Sequence, residues 1–431
     1  MQTFPGRAAP PMRSAFYLAL ALTLAFKFWL ADALPMTGDE AYFIYWGVYP
    51  DYGFWDHPPM VGWTLALLLQ LSSAGWVLRL PVIVLPALVA FAMLQFLRPV
   101  DEEKAYVVAL AFLLLPANVW NVLITTDTPL VLFSFLSAVC FSAALRRESQ
   151  LLFAASGALL GLAFLSKYFS VLLGFAYLGF VLAQPGGRRS WRGLATVAAA
   201  ALPFAALNAW WNYNHCWANL LFNLYTRHDN AGWLPQNPPL YALSVLYMLC
   251  PVALYQMWRG RAALGQKLAE PRARFFMFIW VVPLALFALL SLVKQIGLHW
   301  LLSFVPFFFV AAALVLSAAQ LKKSAVYLFA LSAIHVAGIV TVSLLPVETW
   351  KNSRLYDGIV FHAKTAELLR QLEPYAANYE FAADGFSPAA TASYVSGKYF
   401  LVFGTASSHA RHDDILTDFR ALAAKNILVL R

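Results

Sequence analysis

Charge is scarce in this sequence. Asp, Glu, Lys and Arg make up 12% of its 431 residues, about half the roughly 25% typical of soluble domains. Hydrophobic residues make up 61%, and the mean hydropathy is +0.65. A water-soluble fold cannot hide that much apolar surface, whereas lipid accepts it. Cysteine is also scarce. Cys140, Cys216 and Cys250 are odd in number and lack metal-ligand spacing, so no disulfide framework is implied. The formal net charge is +9, yet no long basic tract or aromatic-basic alternation is present, so nucleic acid is not an expected partner. No cleavable leader is expected either, because the first apolar run is long enough to span and stay.

What the chain has in abundance is apolar runs. A bilayer crossing needs about 20 apolar residues. On that basis about eleven spans are expected, at 14–34, 76–97, 105–120, 129–145, 151–166, 168–184, 193–211, 240–258, 275–293, 299–320 and 324–346. Lys and Arg cluster in alternate turns: Arg7 and Arg13; Arg98 and Lys104; Arg146 and Arg147; Arg188, Arg189 and Arg192; Arg259, Arg261, Lys267, Arg272 and Arg274; Lys322 and Lys323. The opposite turns hold only Lys167, Arg227 and Lys294, with Arg79 near the outer end of the second span. The positive-inside rule then predicts a cytoplasmic N-terminus and a C-terminus on the outer face.

The few charges of the outer set become conspicuous. Residues 37–60 hold Asp39, Glu40, Asp51, Asp56 and His57 among many aromatics, with no Lys or Arg. An amphipathic helix in the interface, followed by a Pro-Pro turn into lipid, satisfies that composition. The second outer segment carries Asp127, with Thr126 or Asp127 available as an N-cap and Pro129 in the first turn. Lys167 stands in the third, His215, Arg227, His228 and Asp229 in the fourth, and Lys294 and His299 in the fifth.

In their order these residues resemble the lipid-carrier-dependent GT-C glycosyltransferases related to bacterial aminoarabinose transferases and protein O-mannosyltransferases. The resemblance rests on Asp39-Glu40 directly after the first span, Asp-His-Pro-Pro-Met at 56–60 and Arg-Leu-Pro at 79–81. Thr-Thr-Asp-Thr-Pro-Leu at 125–130 and Gly-Leu-Ala-Phe-Leu-Ser-Lys-Tyr at 161–168 complete it. It covers most of residues 14–320. It implies an α-helical polytopic enzyme of a bacterial inner membrane that moves a sugar from a polyprenyl-phosphate donor to a lipid, glycan or protein acceptor. It further implies that Asp39 is the essential carboxylate and that Lys167 and Arg227 serve the carboxylate or the donor phosphate. Relatives often have Lys-Pro-Pro where this chain has His57-Pro58-Pro59, so His57 would need a proton or a metal to replace that lysine.

The residues support compatible chemistry by themselves. Sugar transfer from a phosphate needs a base for the acceptor and a cation for the departing phosphate. Adjacent helical residues point about 100° apart, so only one of Asp39 and Glu40 can easily face a shared site. Asp39 is read as the base, with Glu40 as an orienting or structural acid and Asp127 as the third acid of the site. Lys167, Arg227, His57 and Lys294 are the candidate phosphate ligands. Plainer readings stand beside these: Asp127 as a helix cap, Lys167 snorkelling from a helix end, and Arg227 and Lys294 as solvated or anchoring residues. No cofactor is identified from these residues. A divalent metal stays open through His57, His215, His228 and His299, whose spacing is irregular. A transporter or lipid flippase is the competing class. It predicts mid-bilayer ionisable residues and repeated halves, and the sequence offers Lys27 but no repeat.

After residue 346 the composition changes. Residues 347–431 are expected to form a small outer-face α/β domain beside the 1–346 membrane domain. Within it, 384–404 reads as turn, short helix and strand, 413–422 as an amphipathic helix and 426–430 as a strand. His409, His412, Asp413 and Asp414 are read as a solvated face.

Overall fold

The computed structural model describes residues 10–184, 188–228, 232–405, 407 and 411–431. Arg7, Asp229 and His409 lie outside the described residues, as do the side chains of Arg188, Arg189 and His228. The chain is overwhelmingly helical. Among the described residues, seven helices are long and apolar enough to cross a membrane: Pro11–Ala33, Gly75–Leu97, Asp127–Arg147, Ser190–Asn214, Pro271–Ser291, Leu298–Val315 and Ala318–Leu344. An eighth crossing arises if Asn237–Leu249 and Pro251–Arg259, bent by 93°, count as one.

Each of the eleven expected segments contains a helix, but four of them are not full straight spans. Segment 105–120 is a helix over Glu102–Leu113 and a separate turn over Pro116–Trp120. Pro116 lacks the N–H that would continue the first helix. Gln150–Ser166 and Ser170–Ala183 are short apolar helices, and segment 240–258 breaks at Cys250 and Pro251. Hydropathy counts apolar length and does not register these breaks.

The elements used below are α1 (Pro10–Ala33), α2 (Gly38–Val48), α3 (Met60–Leu69), α4 (Leu80–Leu97), α5 (Asp127–Arg147), α6 (Gln150–Ser166), α7 (Arg188–Asn214) and α8 (Ala218–Leu224). The helices α5, α6 and α7 pack together. Close approach of α6 to α7 depends on Gly157, where an added Cβ would sit 2.3 Å from the Val197 carbonyl oxygen. Small residues permit this kind of contact between membrane helices. Ser137 and Ser156 hydrogen-bond between α5 and α6, and Tyr177 joins them.

Lys27, the ionisable residue deep in α1, is buried and has a local structural task. Pro86 inside α4 has no N–H to give the Val82 carbonyl one turn back. The Lys27 ammonium donates to that carbonyl at 2.7 Å. Lys27→Met is expected to lower unfolding stability by about 1–3 kcal/mol, the cost of an unmet buried polar group. Pro86→Ala in the same chain should recover most of that loss, because alanine at that position restores the backbone donor. Thermal unfolding of the purified single and double variants checks this, and an equal loss in both backgrounds would contradict it.

The C-terminal residues form a three-stranded parallel sheet with flanking helices. β1 (Glu380–Ala383) is central, between β2 (Leu401–Val402) and β3 (Ile427–Leu430), with Ala382 opposite Leu401 and Glu380 opposite Ile427. Two further helices belong to this layer, α9 (Tyr356–Leu372) and α10 (Phe386–Ser396). The expected strand at 426–430 and short helix after residue 384 are present. The helix expected over 413–422 is broken into Asp413–Leu416 and a 3₁₀ turn at Phe419–Leu422, where the Asp418 side chain accepts from Arg420 N–H. Nor is this layer loosely attached. The α10 helix lies on α2, with the Phe386 ring edge-on to Tyr42 at 5.3 Å. A Cβ on Gly38 would collide with Ser387, so this approach requires glycine there.

Candidate active site

The site is built at the ends of α1, α2, α4, α5 and α6 that meet opposite the Arg98 and Arg146-Arg147 end of the bundle. Thr37 starts α2 through a capping box in which its hydroxyl accepts from Glu40 N–H and the Glu40 carboxylate accepts from Thr37 N–H. This pins the first turn, so Asp39 and Glu40 diverge as adjacent helical residues must. Glu40 turns inward and is 1% exposed. It accepts from Arg79 Nε and Nη2, both at 2.8 Å, and from Ile124 N–H at 3.0 Å. Arg79 also donates to the carbonyls of Ala31, Leu34 and Pro35. One ion pair thus ties α1, α2, the start of α4 and the segment that leads into α5. Asp39 stays exposed to the cavity.

Asp127 does not cap its helix. The capping residue is Thr126, which makes no side-chain cap bond. Instead the Asp127 carboxylate accepts from Lys167 at 2.8 and 2.9 Å, with both residues buried. The pair is made because Asp127 opens α5 and Lys167 closes α6, two helices packed side by side. Lys167 is therefore buried against a carboxylate and does not snorkel.

The loop 54–57 is strapped down by α8, where Asn219 donates to the Phe54 carbonyl and Asn223 to the Asp56 carbonyl. Past the same helix comes Arg227, whose Nη1 donates to Asn223 Oδ1 at 3.0 Å and whose guanidinium lies over Phe222. Lys294 is not in the cavity wall. Its ammonium donates to the backbone carbonyl of Arg227, which makes it a support for that loop. His57 is in the wall, but burial, helped by the Arg227, Lys167 and Arg411 charges, keeps its imidazole well below the ordinary histidine range. That shift disfavours the protonated form by which His57 would replace the lysine of the relatives.

The sequence reading missed Arg411. It comes from the C-terminal segment and donates to Asp56 Oδ2 at 2.9 Å. Its neighbours His412 and Asp413 are 2% and 6% exposed, so they do not form the solvated face expected of them; of that group Asp414 alone is exposed among the described residues. His412 N–H donates to the Tyr42 hydroxyl, and its ring meets Phe54 edge-on at 4.9 Å. No local pattern marked Arg411, because its partner lies 355 residues earlier.

These groups surround a cavity of about 1430 Å³ whose wall includes Asp39, Glu40, Asp56, His57, Asp127, Lys167, Arg227, His299 and Arg411. Of the histidines raised as metal ligands, His57 and His299 line it, while His215 stacks on Trp211 near Asp51. Among the described residues, no group of three or more His, Cys, Asp or Glu is gathered to hold a metal. An apolar cleft of about 710 Å³ between α3, α4 and α5 shares Ile124 and Thr125 with the cavity.

The structure is similar to the crystal structure of ArnT from Cupriavidus metallidurans in the apo state, with a TM-score of 0.65, 14% identity, and coverage of 95% of this chain and 88% of that one. The fold is ArnT-like. The undecaprenyl-phosphate-bound form of the same protein aligns equally, with a TM-score of 0.64, 14% identity, and coverage of 95% and 89%. Residues 56–211 match the family described as dolichyl-phosphate-mannose-protein mannosyltransferase. The chain is 24% identical over 304 residues to the lipid A galacturonosyltransferase RgtD of Rhizobium johnstonii, 65% of this chain and 62% of that protein. It thus spans less than two thirds of that relative's length. The resemblance to lipid-carrier-dependent GT-C glycosyltransferases read from the sequence is borne out.

Proposed function

We propose that this chain is a membrane glycosyltransferase that passes a sugar from a polyprenyl-phosphate donor to an acceptor on the outer face of a bacterial inner membrane, with inversion and with Asp39 as the base. The observation that carries the reading is the charge pairing of the cavity. Glu40 is matched by Arg79, Asp127 by Lys167, and Asp56 by Arg411. Among the described residues of the wall, Asp39 and Arg227 remain as the carboxylate and the guanidinium outside any ion pair. A base and a phosphate ligand are the two groups the reaction needs.

Asp39 takes the proton of the acceptor hydroxyl as its oxygen attacks the anomeric carbon. The bond from that carbon to the phosphate oxygen breaks, and polyprenyl phosphate departs with the electron pair. Arg227 meets the charge that develops on the phosphate. The adjoining apolar cleft suits the first isoprene units of the carrier. The relatives support the donor class: one is a lipid A galacturonosyltransferase, and ArnT has been captured with undecaprenyl phosphate. The scarcity of Lys and Arg in the turns around the cavity supports an outer-face site.

Purified protein incubated with undecaprenyl phosphate carrying galacturonate, aminoarabinose or mannose, with and without chelator, should consume at least one of these donors. Arg227→Ala should weaken undecaprenyl phosphate binding by about tenfold to a hundredfold, the worth of a charge-assisted contact. Binding that is unchanged in this variant would remove Arg227 from the phosphate site. Consumption of no donor would argue for the transporter class.

A further inference from the structure

The pair formed by Asp56 and Arg411 has an incomplete set of hydrogen bonds. Asp56 is 4% exposed, and its Oδ2 accepts from Arg411, but its buried Oδ1 meets no partner. Arg411 Nε is likewise buried and unpartnered. Buried polar groups are almost always paired in native structures, and leaving one unpaired is destabilising. Here an acceptor and a donor are left over on two residues that are joined by one hydrogen bond and both line the cavity.

Their positions are held from several directions. The guanidinium lies over the Phe386 ring at 4.1 Å and near Tyr42 at 5.9 Å, a stacking that fixes its plane. The bond from His412 N–H to Tyr42 anchors the next residue, and the bond from Asn223 anchors the Asp56 backbone. The pair is therefore preorganised.

We propose that Asp56 and Arg411 form a subsite for hydroxyl groups of the transferred sugar, Asp56 accepting and Arg411 donating. The inference rests on the donor reading above. A phosphate is disfavoured here because Asp56 already neutralises Arg411 and repels a second anion, whereas Arg227 offers an unmatched charge. A hydroxyl both donates and accepts, which is what Oδ1 and Nε leave unmet. Burial pushes the Asp56 carboxyl up while Arg411 and Arg227 pull it down, so the carboxylate gains from a hydroxyl that donates to it. The C-terminal segment then supplies part of the donor-sugar site itself.

The test compares two ligands on the full chain in lipid nanodiscs: undecaprenyl phosphate, and undecaprenyl phosphate bearing mannose or galacturonate. Arg411→Met and Asp56→Asn should each weaken the sugar-bearing lipids by about tenfold or more and leave the bare lipid within about twofold, since each removes a hydrogen bond between a charged group and the sugar. Arg411→Lys, which keeps the charge but loses Nε, should show the same selective loss and serves if the Met variant melts early. Equal weakening of bare and sugar-bearing lipid would overturn the subsite in favour of a purely electrostatic role, and so would unchanged binding of both. Failure of the unaltered chain to bind undecaprenyl phosphate would instead overturn the donor reading.

Discussion

Asp39→Asn is expected to cut kcat by about 10²–10⁴-fold, the usual contribution of a positioned general base, while donor KM changes little. The substitution is nearly isosteric and removes only the ability to take a proton. Asp39 is exposed to the cavity, outside any ion pair among the described residues, so no buried partner is stranded by it. The one structural cost is its place in the first turn of α2, where a negative charge is worth about 0.3–1 kcal/mol against the helix dipole. A steady-state assay with whichever donor the incubation shows to be consumed, paired with thermal unfolding, separates the two effects. Near-full activity would sink Asp39 as the base, and a large fall in stability would assign it a structural role. Asp127→Asn is the informative contrast, because it strips Lys167 of a carboxylate held at 2.8 Å and should damage stability and activity together.

The gathering of the site was legible because charge is so rare in this chain. When the turns on one side of the membrane hold so few Lys and Arg, each one stands out, and Asp39, Asp127, Lys167 and Arg227 do line one cavity. The pairings within that set were not legible. Nothing in spacing says that Glu40 reaches Arg79 rather than the cavity centre, since that depends on how α4 enters beside α2. Lys294 illustrates the converse: it lies next to the site, yet its ammonium is spent on the Arg227 carbonyl. The tail was legible as α/β from its turn residues and apolar strand, but not in its role, because the bond from Arg411 to Asp56 crosses 355 residues. The breaks inside the expected spans were not legible either. Apolar composition accumulates across Pro116 and Cys250-Pro251, whereas backbone hydrogen bonding does not.

The ion pair of Glu40 and Arg79 carries the second large expectation. Both side chains are 1% exposed, and removing one partner of a buried pair typically costs about 3–5 kcal/mol because the other is left charged and unmatched. Arg79→Met should be the more damaging single change. It strands the Glu40 carboxylate and also takes the donor from the carbonyls of Ala31, Leu34 and Pro35 at the end of α1. Glu40→Met strands one guanidinium that still has those three carbonyls. The double variant should be more stable than the sum of the singles predicts, by a coupling of about 0.5–3 kcal/mol, since no charge is then left alone. It should nevertheless remain poorly active. Without Glu40, the Ile124 N–H loses its acceptor and Thr37 loses its capping partner, so both the approach to Asp127 and the helix turn bearing Asp39 are released. Unfolding midpoints and kcat for the four chains test this together. Either single variant within about 1 kcal/mol of the unaltered chain would show that the pair is not what holds the site, since losses that small are ordinary for surface changes.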